Sequence, residues 1–171
     1  MSELGNKALN LSQGGIVPFT LFEKDKISII LDLPSIVKLR LGVDESCPVA
    51  PVLKNDSPYT VISATFSISL DSVHDTNSQE VIANVEWLNS NTLETASIMH
   101  FTCENVPAGQ TLQCNPTMRG YDKIQWHSTM TSGVGMEILN SSLTLGSITL
   151  GPIASETFPD TGPTINVNAK N

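Results

Sequence analysis

The chain has 171 residues, of which 40% are hydrophobic and 15% are charged, and its net charge is −8 at pH 7. This length suits one domain with a substantial core. The nine lysines and arginines are scattered, so the sequence lacks the basic stripe or arm of proteins that bind nucleic acid through phosphates.

The first 15 residues are polar and end in a glycine pair, which predicts a flexible N-terminal arm or a short helix. No basic, apolar signal sequence opens the chain, and no run of about 18 apolar residues predicts a membrane span.

Residues 27–33 alternate between apolar and polar, which is typical of a strand, and Pro34 ends it. The alternation resumes at residues 36–41. A long loop is predicted over residues 42–58, where three prolines accompany Asp44 and Glu45.

Residues 60–70, TVISATFSISL, carry the clearest strand signal of the chain. Strict period-two alternation predicts one buried face. That face comprises Ile62, Ala64, Phe66, Ile68 and Leu70. The polar residues 71–80 predict a loop.

Further strands are predicted along the rest of the chain, with turn residues between them. They cover residues 81–88, 98–103, 111–114 and 121–130. Trp87 and Trp126 fall on inward faces, which favours core packing over sugar stacking. Residues 89–97 are predicted to hold a single helical turn capped by Asn91.

The apolar residues of segment 134–150 change parity along the chain. One interpretation is a continuous strand with a bulge at Gly146, and the other is two strands joined at residues 140–142. From Ser155 the chain is polar and predicts an extended tail. The fold class is therefore an all-β, eight-stranded antiparallel β-sandwich (jelly roll) over residues 16–154, with a flexible arm at 1–15 and a C-terminal tail at 155–171.

The sequence predicts no enzyme and no catalytic or cofactor-binding residues. No nucleophile elbow accompanies the histidines, His74, His100 and His127. Asp71 and Asp75 are candidate oxygen ligands for Ca²⁺, although ordinary loop carboxylates are the favoured interpretation.

Three cysteines, an odd number, favour a reducing compartment. Cys103 and Cys114 are expected to face each other across a hairpin. A disulfide between them is one interpretation, and two small buried thiols are the favoured one.

Arg119 and Tyr121 are candidates for a subunit interface, because both residue types are favoured at protein contacts. A surface turn is the alternative interpretation of the same segment. Asp44 and Glu45 are further interface candidates, because they lie in the predicted long loop.

The layout of the chain combines a polar arm, about eight strands and a proline-rich loop before residues 59–70. It continues with a strand ending at Trp87 before a loop of small residues, and with a closing strand that alternates Ser, Thr and Gly with Ile and Leu before Pro152. Over residues 15–155 this layout resembles the jelly-roll coat proteins of small icosahedral RNA viruses, tymovirus-like or satellite-virus-like.

The resemblance implies a self-assembling capsid subunit, present in many copies in a virion that is assembled in the host cytoplasm. Contact with viral RNA would not use a basic arm, and a host receptor or glycan is a further expected partner. The alternative is a ligand- or glycan-binding β-sandwich module, such as an adhesin or a phage-fibre domain. A cupin-type enzyme is a third interpretation, and it lacks the H-x-H spacing that its metal requires.

Overall fold

The computed structural model describes residues 16–34, 44–70, 72–75, 81–127, 136–139, 142–153 and 162–167. All regular structure in these segments is β-strand, and every ladder is antiparallel. The strands are β1 (Ile16–Lys24), β2 (Ile27–Pro34), β3 (Asp44–Pro48), β4 (Pro51–Asn55), β5 (Tyr59–Ser69), β6 (Ser72–Asp75), β7 (Val81–Asn89), β8 (Thr95–Ala96), β9 (Ile98–Val106), β10 (Thr111–Gln113), β11 (Asn115–Pro116), β12 (Tyr121–His127), β13 (Met136–Leu139), β14 (Ser142–Ile153) and β15 (Thr164–Asn166).

These strands form three sheets within the described residues. The first has the order β1-β2-β4-β10, and the second has the order β11-β9-β5-β14-β15. The third has the order β13-β6-β7-β12-β3, with β8 paired to β7. The prediction of an all-β, antiparallel protein is therefore confirmed.

One hydrophobic cluster draws side chains from all three sheets. Its largest members are aromatic: the rings of Phe66 and Phe101 stack with centroids 5.8 Å apart, and Trp87 meets Phe101 edge-on at 5.2 Å. Trp87 Nε1 donates to the carbonyl of Ile68 at 3.1 Å, which satisfies the indole inside the core. Trp87 and Trp126 are both buried, as the strand patterns predicted.

The strand predicted at residues 60–70 is confirmed as β5, and Ala64, Phe66, Ile68 and Leu70 are buried. Its first residues depart from the prediction, because Val61 is buried and Ile62 is only half-buried. The ladder to β14 changes register between Thr149 and Leu150, at the level of this departure. A bulge of this kind reverses the faces of the adjoining residues.

Strand β5 pairs with β14, and the next strand along the chain, β6, pairs with β13. Ser69 opposes Ser142 and Ser72 opposes Leu139, so the two ladders share one register. The first pair of strands lies in the second sheet and the other pair lies in the third.

The bulge predicted at Gly146 is confirmed. The ladder between β5 and β14 changes register between Thr144 and Ser147, and Leu143 and Ile148 are both buried despite their opposite parity. The segment also begins a new strand at Ser142, so both interpretations of residues 134–150 hold in part.

The predicted loop over residues 42–58 is wrong in part, because β3 and β4 lie within it. Strand β3 pairs with β12, and β4 pairs with β2 and β10. Pro48 ends one strand and Pro51 begins the next, at positions where a missing N–H costs little. The second predicted loop, 71–80, likewise contains β6. The predicted strand 36–41 lies outside the described residues.

Fifteen strands in the described segments replace the eight that were predicted. One cause is that the predicted strand 111–114 joins two sheets, because β10 pairs with β4 while β11 pairs with β9. Another is that β15, inside the predicted tail, pairs with β14 and buries Ile165. The predicted arm, residues 1–15, lies outside the described residues.

Candidate functional site

Three exposed apolar side chains of the described residues lie in the turn after β7, in the turn before β12 and at the start of β9. Leu93 is 72% exposed, Met118 57% and Ile98 51%. The backbone N–H of Thr117 donates to the carbonyl of His100 at 2.8 Å, which places Met118 beside the start of β9. Arg119 follows Met118 and is exposed. We call these four residues (Leu93, Ile98, Met118 and Arg119) the turn patch.

The buried side chain of Asn89 holds the two turns together. Its Oδ1 accepts from the backbone N–H groups of Asn91 at 2.9 Å and Thr92 at 3.1 Å, while its Nδ2 donates to the carbonyl of Arg119 at 3.1 Å. Ser90 N–H also donates to the carbonyl of Gly120 at 3.0 Å. The turn patch is therefore carried on a cross-linked pair of turns.

The single helical turn predicted for residues 89–97 is confirmed in part. The N–H of Leu93 donates to the carbonyl of Asn89 at 2.7 Å, which is the spacing of one helical turn. Asn89 caps this turn instead of Asn91, and the chain then reverses into β8 through Leu93, whose φ is +65°. Gly120 closes the other turn with a φ of +100°, and a Cβ there would overlap the side chain of Asn89. The two turns thus fit closely around one amide.

We expect Asn89→Ala to lower the free energy of unfolding by about 2 kcal/mol, because three partly buried hydrogen bonds to the backbone of the two turns are lost together. Hydrogen exchange at the amides of Asn91 and Thr92 should accelerate by at least about tenfold, which corresponds to about 1.4 kcal/mol of lost protection. Exchange in the middle of β5 is the internal control. Unchanged protection at the two amides would show that the side chain of Asn89 does not order this turn.

The four predicted interface residues occupy separate places. Arg119 lies in the turn patch, whereas Tyr121 is only 5% exposed and packs in the core. Asp44 and Glu45 lie on β3, an edge strand of the third sheet, instead of in a loop. Asp44 pairs with His127 at the end of β12 that is remote from Arg119. The structure does not unite them in one site.

The calcium candidates are not brought together by the described residues. Asp71 lies outside them, and Asp75 lies on β6 in the backbone ladder opposite Met136. No group of three metal-ligating side chains occurs among the described residues. His100 is exposed on β9, while His74 and His127 lie on β6 and β12.

A polar cleft of about 480 Å³ adjoins the turn patch. Gln113, Asn115, Arg119 and Asp122 line it, so amide, guanidinium and carboxylate groups face one opening. The same segment borders a second cleft of about 370 Å³ beside Cys103. These planar polar groups suit hydrogen bonding to hydroxylated ligands.

Comparison with known proteins found no matching family model, no matching curated protein and no matching solved structure. Within the described residues, no helix is long and apolar enough to traverse a bilayer. The function of the chain must therefore be inferred from its own residues.

Proposed function

We propose that this chain is a structural subunit that assembles with copies of itself into a closed shell, as the capsid (coat) protein of a small icosahedral RNA virus. The turn patch is the observation that carries the proposal. It comprises three exposed large apolar side chains and an exposed arginine, and both Met and Arg are enriched at protein interfaces. Apolar groups that cluster on a surface mark contact sites.

The rigidity of the turn patch favours a protein partner with a fixed complementary shape. The hydrogen bonds of Asn89 order both turns before any contact forms, so binding would lose little conformational entropy there. In a closed shell each copy meets several others through repeated contacts. The turn patch and the acidic edge at Asp44 and Glu45 would form two of those contacts.

We also propose that the sheets form a jelly-roll variant. Strands β5 and β14 pair in the second sheet, while their neighbours in sequence, β6 and β13, pair with each other in the third, and this supports a rolled double sheet. In this proposal the chain resides in a virion assembled in the host cytoplasm. Its acidity means that any contact with RNA would use few basic groups, since the net charge is −8.

We expect Met118→Asp to weaken assembly of the purified protein, because the new carboxylate would have to be desolvated in the contact. Sedimentation velocity should show the protein concentration at which assembly begins rising by about tenfold, which corresponds to a loss of about 1.4 kcal/mol per subunit. The change lies on an exposed turn, so the folded subunit should persist.

Leu112→Asp is the matched control, because Leu112 is also exposed, at 40%, but lies on β10 outside the turn patch. It should assemble like the wild type. Equal loss of assembly in both variants would remove the turn patch from the proposal. Full assembly of Met118→Asp would do the same.

The polar cleft supports a second candidate function, a ligand- or glycan-binding module. Its Gln113, Asn115, Arg119 and Asp122 match the hydrogen-bonding demands of sugar hydroxyl groups. A glycan array probed with the wild type and with Asn115→Ala tests it. Saturable binding that Asn115→Ala abolishes would establish this function, and the absence of binding to any glycan would reject it.

A further inference from the structure

Two buried thiols, those of Cys103 and Cys114, meet where the first sheet joins the second. Both cysteines are free, with exposures of 4% and 0%. Strand β10 pairs with β4 in the first sheet, and β11 pairs with β9 in the second. Cys114 is the residue between β10 and β11, and its N–H donates to the carbonyl of Pro51 on β4 at 2.9 Å.

The register sets Cys114 directly opposite Cys103. Asn115 pairs with Thr102, so one further step along the ladder pairs the two cysteines. The N–H of Thr117 donates to the carbonyl of His100, so these two residues form a hydrogen-bonded pair. Hydrogen-bonded and non-hydrogen-bonded pairs alternate along an antiparallel ladder, and the cysteines lie three steps from this pair. The cysteines therefore occupy a non-hydrogen-bonded position, where Cα atoms approach to about 4.5 Å, within the range that a disulfide spans.

The two thiols also differ in their pKa. The neighbouring Cys114 thiol lowers the pKa of Cys103, whereas Cys103 and burial raise the pKa of Cys114. The Cys103 thiol also donates to the carbonyl of Gln113 at 3.9 Å. Cys103 lines the cleft of about 370 Å³ between β9 and β10, so a molecule as small as hydrogen peroxide has only a short distance to travel to it. A cysteine with a lowered pKa beside a second thiol is the arrangement of redox-sensitive cysteine pairs.

We propose that Cys103 and Cys114 form a reversible, peroxide-driven disulfide that locks the junction between the first and second sheets. The Cys103 thiol gives up its proton as its sulfur forms an S–O bond to one oxygen of hydrogen peroxide, the O–O bond breaks, and the departing hydroxide takes up that proton as water. The sulfur of Cys114 then attacks the Cys103 sulfenic acid, and its proton leaves with the hydroxide as a second water. Each disulfide thus consumes one peroxide. The disulfide would form in the same way whether or not the chain assembles into a shell.

Cys47 supplies the internal control. It lies on β3, in the third sheet, and burial raises its pKa to about 12. Its partner in the ladder with β12 is Ile124, and no described ladder places it opposite Cys103 or Cys114. It should stay reduced under conditions that oxidise the pair.

The test treats the folded wild-type protein with hydrogen peroxide, then unfolds it and blocks free thiols with N-ethylmaleimide. Cleavage after Glu94, Glu104 and Arg119 places the two cysteines in separate peptides, 95–104 and 105–119. We expect these peptides to remain joined, two hydrogen atoms lighter than their sum, and to separate after dithiothreitol. Cys47 should carry the maleimide. The melting temperature should rise by about 5 °C on oxidation, as closing a short loop predicts.

Two variants assign the roles. Cys47→Ala should retain the linked peptides. Cys114→Ser, which keeps a hydroxyl donor beside Cys103, should leave Cys103 as a sulfenic acid that dimedone traps. Recovery of the two wild-type peptides unlinked, whether blocked by maleimide or overoxidised, would overturn the proposal. A link found only between two copies, as a dimer on a non-reducing gel, would overturn it as well.

Discussion

Replacing Asn55 by alanine is expected to lower the free energy of unfolding by about 4 kcal/mol, because several buried polar groups lose their partner at once. Asn55 is fully buried. Its Nδ2 donates to the carbonyls of Tyr59 at 2.8 Å and Val106 at 3.0 Å, and its Oδ1 accepts from the N–H of Ser57 at 3.1 Å and from its hydroxyl at 2.6 Å. One amide therefore joins the end of β4 to the start of β5 and the end of β9.

Urea unfolding followed by tryptophan fluorescence measures this loss, since Trp87 and Trp126 are buried. Asn115→Ala is the matched control, an exposed asparagine on β11 that should cost less than about 0.5 kcal/mol. Ser57→Ala, which removes a single hydroxyl from the network, should fall between them. A loss below about 1 kcal/mol for Asn55→Ala would contradict this role for the amide.

Gly146→Ala is the second substitution with a large expected effect, a loss of about 3 kcal/mol. A Cβ at this position would overlap the backbone carbonyl of Thr65 and approach the Cα of Phe66, and neither can move without distorting β5. The bulge lets β14 pass close to β5 while its inward side chains change parity. The methyl group would force the two strands apart.

Gly109→Ala separates steric overlap from backbone strain. Gly109 has a φ of +82°, but a Cβ there would meet no atom within 4 Å. Its substitution should therefore cost only the strain of a left-handed residue, about 1 kcal/mol. If Gly109→Ala were the more damaging of the two, or if Gly146→Ala were neutral, the close approach of β14 to β5 would be refuted.

The parts of the fold that could be predicted are those where burial alone sets the pattern. Strand β5 is buried on one face along most of its length, so its alternation is legible in the sequence. The Gly146 bulge was predictable as well, because inward side chains can change parity within one strand only where an extra residue is inserted, and glycine accommodates that insertion. The strands within residues 44–55 were predicted as a loop because of their prolines. Pro48 and Pro51 lie at strand ends, where proline does not interrupt a ladder.

The candidate site was predictable only in part. Arg119 was identified by residue type, but Tyr121, chosen on the same grounds, is buried in the core. Asn89 was missed, because it ends a strand and only tertiary contact with the Arg119 turn reveals its role. An asparagine at the end of a strand before small polar residues is a turn signal, yet it does not say which second turn the side chain will hold. The opposition of Cys103 and Cys114 was foreseen from their spacing around a turn.

The mass of the purified wild-type particle, determined by light scattering behind size-exclusion chromatography and followed by negative-stain microscopy, tests the proposed assembly most directly. The proposal predicts closed particles of at least about sixty copies, the smallest number that icosahedral symmetry permits for one subunit type. A monomer, dimer or trimer at every pH and calcium concentration tested would contradict the coat-protein proposal and favour the binding module.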